Sequence, residues 1–208
     1  GRVASLIGAP PSNVTFLSSG TESNNMAFYS CTRNKGKKCR VVTTTVEHSS
    51  IRKMCSYLCI NGVEIRFVKV DGKGIVDLAS LEKNINDDTT LVSVQWASNE
   101  TGVIQPVEEI GEMCRRYGVP FHTDAAQAVG KIDMAVNDMP IDFLSLTGHK
   151  FHGPQGAAAI YSRDRFMLAP VFFGGFQEEG FRPGTENLPG IAGFGKAAEM
   201  RKANLERD

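Results

Sequence analysis

Three short polar runs carry residue types that do chemistry, and each begins where a hydrophobic run ends. Ser18-Ser19-Gly20-Thr21-Glu22-Ser23-Asn24-Asn25 follows the apolar stretch 14–17. Its hydroxyls, its glycine and the amides that open a helix make a cradle for a phosphate group, the plain alternative being a helix cap. Asp124-Ala125-Ala126-Gln127 follows the stretch 119–123, and Thr147-Gly148-His149-Lys150 follows 141–146. An acid at one strand end, a lysine at the next and a phosphate cradle nearby form the set that pyridoxal phosphate requires. The amine condenses with the aldehyde, and the carboxylate keeps the pyridine nitrogen protonated so that the ring accepts electrons. Singly, such a lysine reads as a surface charge and such an aspartate as a cap; the combination carries the reading.

These residues need elements to hold them. Runs rich in Val, Ile and Phe predict strands at 14–17, 40–46, 63–70, 90–97, 119–123, 141–146 and 157–161. Helical periodicity fills 22–32, 49–60, 77–85, 107–117 and 188–207, between breakers such as Asn61-Gly62, Asp71-Gly72 and Gly153-Pro154. This alternation predicts an α/β fold: a mostly parallel sheet with helices on both faces, and chemistry at the carboxyl ends of the strands. No repeat, low-complexity tract or linker divides the chain, so residues 1–208 read as one domain.

Composition narrows the partners. The 208 residues balance 23 Lys+Arg against 23 Asp+Glu, which gives no charge excess for nucleic acid or an anionic membrane surface. Hydrophobic residues make 41% and charged residues 22%, in the globular range, and no apolar run approaches the roughly 20 residues of a membrane helix. The cysteines Cys31, Cys39, Cys55, Cys59 and Cys114 are odd in number and scattered, which predicts reduced thiols and an intracellular, cytoplasmic protein, with an organelle such as the mitochondrion as the alternative. Cys55 and Cys59 lie four apart near His48, but lack the second close pair of a metal site, so no metal is expected. The run from Gly190 to Lys196 matches part of a phosphate-binding loop but sits in helical context and ends in Ala197, which offers no hydroxyl for Mg²⁺.

Six ordered segments now carry a resemblance. Ser19-Gly20-Thr21-Glu22-Ser23-Asn24-Asn25, Glu47-His48, Asn99-Glu100-Thr101-Gly102, Thr123-Asp124-Ala125-Ala126-Gln127, Thr147-Gly148-His149-Lys150 with Gly153-Pro154-Gln155-Gly156, and Arg182-Pro183-Gly184-Thr185-Glu186-Asn187 cover nearly the whole chain. Together they resemble the class V aminotransferase family of fold type I pyridoxal-phosphate enzymes, and within it the cysteine desulfurase and selenocysteine lyase group. The resemblance implies that Lys150 forms the Schiff base and moves the substrate proton, that Asp124 pairs with the pyridine nitrogen, and that His48 stacks on the ring and takes part in proton transfer. It implies that Asn99 and Gln127 bond the phenolic oxygen. It implies a phosphate site of Ser19, Gly20, Thr21, Thr147 and His149, completed by Thr185 from the partner of a homodimer.

The implied activity is conversion of L-cysteine to L-alanine, with the sulfur passed as a persulfide to an acceptor or scaffold protein for Fe-S cluster or thio-cofactor assembly. Selenium release from L-selenocysteine, a class V transamination and a cofactor-binding scaffold without turnover are the alternatives. The family's nucleophilic cysteine and carboxylate-binding arginine belong to a small domain after Asp208, and a glycine-rich segment belongs before Gly1, so a large-domain fragment is expected. Phe176 and Glu179 depart from the family pattern in a segment of dimer contacts.

Overall fold

Seven strands form one sheet in the computed structural model, which describes residues 1–33 and 39–205. In chain order they are β1 (Val14–Leu17), β2 (Arg40–Thr44), β3 (Glu64–Val68), β4 (Thr89–Ser93), β5 (Phe121–Asp124), β6 (Phe143–Thr147) and β7 (Ala158–Ser162). Their spatial order is β1-β7-β6-β5-β4-β2-β3. The ladders from β3 through β6 are parallel, and β7 runs antiparallel to both β6 and β1. That exception has a local cause. The connection from β6 to β7 is a single 3-10 turn, Gly148–Phe151, and a short loop, whereas a parallel return needs a crossover of a dozen residues or more.

Among the described residues the α-helices are α1 (Arg2–Leu6), α2 (Gly20–Thr32), α3 (Ser49–Ile60), α4 (Leu78–Asn84), α5 (Val107–Tyr117) and α6 (Leu188–Leu205). Alternating strand residues divide the core between two faces. Val42, Val92 and Leu144 join the cluster that contains Leu81 of α4, Ile110 of α5 and Phe194 of α6. Val41 and Leu91, one residue back, pack instead on Phe28 of α2 and Ile51 and Leu58 of α3. β5, β6 and β7 are buried along their whole lengths; β6 and β7 are mainly apolar without alternation, while β5 buries the polar His122, Thr123 and Asp124 that lead into the site.

All seven predicted strands form; those at 40–46, 63–70 and 90–97 end two to four residues early, because there the chain leaves the sheet to build loops, while those at 119–123, 141–146 and 157–161 run one residue further. The stretch predicted to run to residue 97 stops as β4 at Ser93. Beyond it, the Trp96 N–H donates to the Asp124 carbonyl at 2.9 Å and the chain turns back through an Ala97–Ile104 bridge. The predicted end of α6 at 206–207 lies outside the described residues. Gly190 to Lys196 is interior to α6, so that run is helix and not a phosphate loop. Among the described residues no helix is long and apolar enough to cross a membrane.

Candidate functional site

The carboxyl ends of β1, β2, β4, β5 and β6 converge on one cavity of about 210 Å³. From the β1 end come Ser19, Gly20 and Thr21. Ser19 is the extended N-cap of α2, and its Oγ accepts from the Glu22 N–H at 3.1 Å. Its hydroxyl therefore does cap the helix, and the cradle falls to its neighbours. The first intrahelical bond is Ser23 N–H to Ser19 carbonyl at 3.1 Å, so the N–H groups of Gly20 and Thr21 precede it in the turn where a helix binds anions. Across the cavity stands Thr147, whose Oγ1 lies 2.9 Å from His149 Nδ1. A Cβ on Gly20 would meet the Thr147 methyl at 4.0 Å and stand in this gap.

Asp124 ends β5 and is nearly buried. Its Oδ1 accepts from the Ala126 N–H at 3.0 Å and its Oδ2 from Asn24 Nδ2 at 2.7 Å. Asn24 also donates to Ser50 Oγ at 2.9 Å, and Ser50 Oγ lies 2.8 Å from Nδ1 of His48. His48 caps α3 through that same Nδ1, which accepts from the Ser50 N–H at 3.2 Å.

Lys150 sits exposed on the 3-10 turn after β6. The turn is fixed by Phe151, buried against Phe194 with ring centroids 5.6 Å apart. Burial, and then the Lys150 charge, hold His149 below the usual imidazole range. Burial also lowers Lys131, aided by Lys150 and Arg201. Lys131 donates to the side-chain carbonyl of Gln127, which leaves the Gln127 amide N–H groups as its donors. Asn99 reaches the cavity from a turn closed by Gly102 N–H to Ser98 carbonyl at 3.0 Å.

Ten of the eleven residues singled out from sequence thus line one cavity. Thr185 does not. It is exposed and lines a separate cavity of about 190 Å³ with Glu178 and Arg182. The two cavities share the β1–α2 turn, because Arg182 Nε pairs with buried Glu22 at 3.0 Å while Glu22 accepts from the Ser18 N–H at 2.7 Å. In the departing segment, Phe176 is 82% exposed and Glu178 and Glu179 take left-handed φ values of 47° and 57°. Glu178 is tied to the Phe16 N–H at 2.9 Å and Glu179 to Arg165 at 2.9 Å.

Sequence reasoning gave no role to Asn24, Ser50, Gln95, Glu47 or His122. Glu47 lies behind His48, accepting from Thr44 Oγ1 at 2.6 Å and from the Gln95 N–H at 3.1 Å. Burial nevertheless pushes its carboxyl up to about 8. His122 lies two residues before Asp124, between Ser93 Oγ at 2.8 Å and Ser145 Oγ at 3.0 Å, and burial drives it down to about 3. The available signal was register: Ser93 is the β4 partner of His122, and Ser145 the β6 partner of Asp124.

The profile of the aminotransferase class-V family matches residues 1–208. The chain belongs to that family. This class-V chain is 46% identical over 210 residues to the mitochondrial cysteine desulfurase of Saccharomyces cerevisiae, covering all of this chain and 42% of that protein. It is 44% identical over 212 residues to the mitosomal cysteine desulfurase of Encephalitozoon cuniculi, of which it covers 49%. The class-V chain therefore spans about half the length of the curated relatives it matches. Among solved structures it is similar to a NifS-like protein, with TM-score 0.95 and 37% identity over 99% of this chain and 57% of that one. A second, SspA in complex with cysteine, matches at TM-score 0.92 and 37% identity over 95% of this chain and 58% of that one. The seven-stranded, mostly parallel sheet is the sheet of these relatives.

Proposed function

We propose that this chain is the cofactor-binding domain of a pyridoxal-phosphate-dependent cysteine desulfurase, completed by a small domain beyond it. The enzyme converts L-cysteine to L-alanine and passes the sulfur to an acceptor thiol, which becomes a persulfide for Fe-S cluster assembly. The relatives' shared description as cysteine desulfurases and the neighbour holding cysteine support this substrate over selenocysteine. The mitochondrial and mitosomal relatives support an intracellular site of action.

The residues fit the cofactor. A helix start with two N–H groups ahead of its first internal bond, lining one cavity with the Thr147 and His149 side chains, suits a phosphate. An aspartate in the same cavity, already oriented by two N–H donors, suits a pyridine nitrogen. When bound, pyridoxal phosphate supplies an aldehyde that captures amines and a ring that draws electrons from the carbon beside the captured nitrogen.

The chain's own residues then divide the work. Gly20, Thr21, Thr147 and His149 hold the phosphate, and Thr185 does so for the partner subunit of a homodimer. Lys150 Nζ is the covalent anchor and afterwards carries the substrate proton. Asp124 keeps the ring nitrogen protonated, Gln127 and Asn99 donate to the phenolic oxygen, and His48 serves the ring and the substrate protons.

A single observation carries the reading: Lys150 and Asp124, from different strand ends, line the same cavity as the start of α2. Borohydride reduction of the chain incubated with pyridoxal phosphate, followed by peptide mapping, should place the pyridoxyl group on Lys150, and Lys150→Ala should abolish the label while the fold persists. Label on another lysine overturns the assignment.

A further inference from the structure

The polar contacts behind His48 close as a proton inventory. Asn24 is 1% exposed, and its Oδ1 has no partner among the described residues. Reversing the amide would set that oxygen 2.7 Å from the Asp124 carboxylate, two acceptors face to face, so the NH₂ group is the one turned toward Asp124. Its two hydrogens go to Asp124 Oδ2 and Ser50 Oγ. Ser50 Oγ, accepting one of them, has one hydrogen of its own, and its remaining contact is His48 Nδ1 at 2.8 Å. The Ser50 backbone N–H reaches the same nitrogen at 3.2 Å. Two donors aimed at one ring nitrogen require it to be bare, and the proton of the neutral imidazole then sits on Nε2.

We propose that Ser50 and Asn24 are positioning residues: they hold His48 as the Nε2–H tautomer, make Nε2 the nitrogen that exchanges protons with the cavity, and couple it to the Asp124 carboxylate. Nε2 has no partner among the described residues, and His48 lines the cavity. In its neutral form His48 therefore meets the cavity as a hydrogen-bond donor, and Nδ1 is withheld from chemistry. What Nε2–H meets rests on the function proposed above, but the tautomer belongs to the chain itself.

The test is long-range ¹H–¹⁵N correlation of the 208-residue chain carrying ring-¹⁵N histidine, at a pH where imidazole is neutral and without added cofactor. His48 is assigned by the signals lost in His48→Gln. Nδ1 is expected bare and Nε2 protonated; a proton on Nδ1 overturns the proposal. Because the backbone N–H stays, Ser50→Ala should lower the Nε2–H to Nδ1–H ratio by about threefold to tenfold, the weight of one neutral hydrogen bond. Ser50→Thr should restore it. Ser50→Cys, with its weaker donor, should fall between and serves should the alanine variant fail to fold. An unchanged ratio in the alanine or cysteine variant removes Ser50 from the role, and an unchanged ratio in Asn24→Ala removes Asn24. A failed ratio leaves the labelling of Lys150 untouched, and failed labelling leaves the ratio untouched, so the two readings fall separately.

Discussion

Asp124 shows how much of a side chain's role is set by its neighbours. One oxygen is taken by the Ala126 N–H and the other by Asn24, so the carboxylate cannot swing, while its charge and a remaining lone pair are left to meet a ring nitrogen. Asp124→Asn keeps the shape and removes the charge, and it sets an NH₂ group against one of those two donors. We expect reaction with amino acids, followed by absorbance after mixing, to slow by roughly a hundredfold or more. Cofactor affinity should fall by less than about tenfold, because the helix start and its hydroxyls hold the phosphate independently. Wild-type rates in this variant would exclude Asp124 as the nitrogen's partner. The cysteines fit the same division of labour. None of the five lines the cavity, and burial pushes Cys31, Cys55 and Cys114 up to about 12, far from the thiolate that attacks sulfur.

Helix placement depends on where a side chain is missing. In α5, a Cβ on Gly111 would lie 2.2 Å from the Pro140 carbonyl oxygen, a backbone atom that cannot step aside. In α6, a Cβ on Gly195 would touch Arg2 side-chain carbons at 3.9 Å, an ordinary contact. Alanine gains about 1 kcal/mol of helix propensity at either site, but overpacking costs about 1–3 kcal/mol. Urea unfolding should therefore find Gly195→Ala stabilised and Gly111→Ala destabilised. A stabilised Gly111→Ala would mean that α5 does not press on Pro140. Seven strands and five helices were legible because each is a local pattern: apolar runs for buried strands, and periodic faces such as Val107, Ile110 and Cys114 in α5. The cavity wall was legible where a motif named it. The buried polar links were not, because Asn24 meets Asp124 a hundred residues on, and His122 meets serines on two other strands. Such pairs are decided by strand order, which no local period encodes. Thr185 was read as completing the phosphate site of a partner subunit, and within its own chain it lines a neighbouring cavity.

Across the whole molecule, two buried titratable groups beneath the site pull stability in opposite directions with pH. His122 falls from 6.5 to about 3 on burial. Between those values the unfolded chain holds a proton that the folded one lacks, so stability rises with pH at about 1.4 kcal/mol per unit. Glu47 rises from 4.5 to about 8. Between those values the folded chain holds the extra proton, and stability falls with pH at the same rate. Where the windows overlap, from 4.5 to 6.5, the two slopes cancel. Asp142 and Glu178, also raised by burial, add to the downward slope above their ordinary values, and His149, lowered by burial, adds to the upward slope below 6.5. Denaturant unfolding across pH should thus give a broad maximum between about 4.5 and 6.5, a decline on the acid side and a decline from 6.5 to about 8. Glu47→Gln removes the Glu47 contribution with little else, since the amide keeps an oxygen for the Gln95 N–H and an NH₂ group for Thr44. It should flatten the decline between 6.5 and 8 and turn the plateau between 4.5 and 6.5 into a rise, the His122 slope being left uncancelled there, while the side below 4.5 stays in place. The same slope in both proteins would show that Glu47 is ionised in the folded chain throughout that range, and that its two donors outweigh its burial.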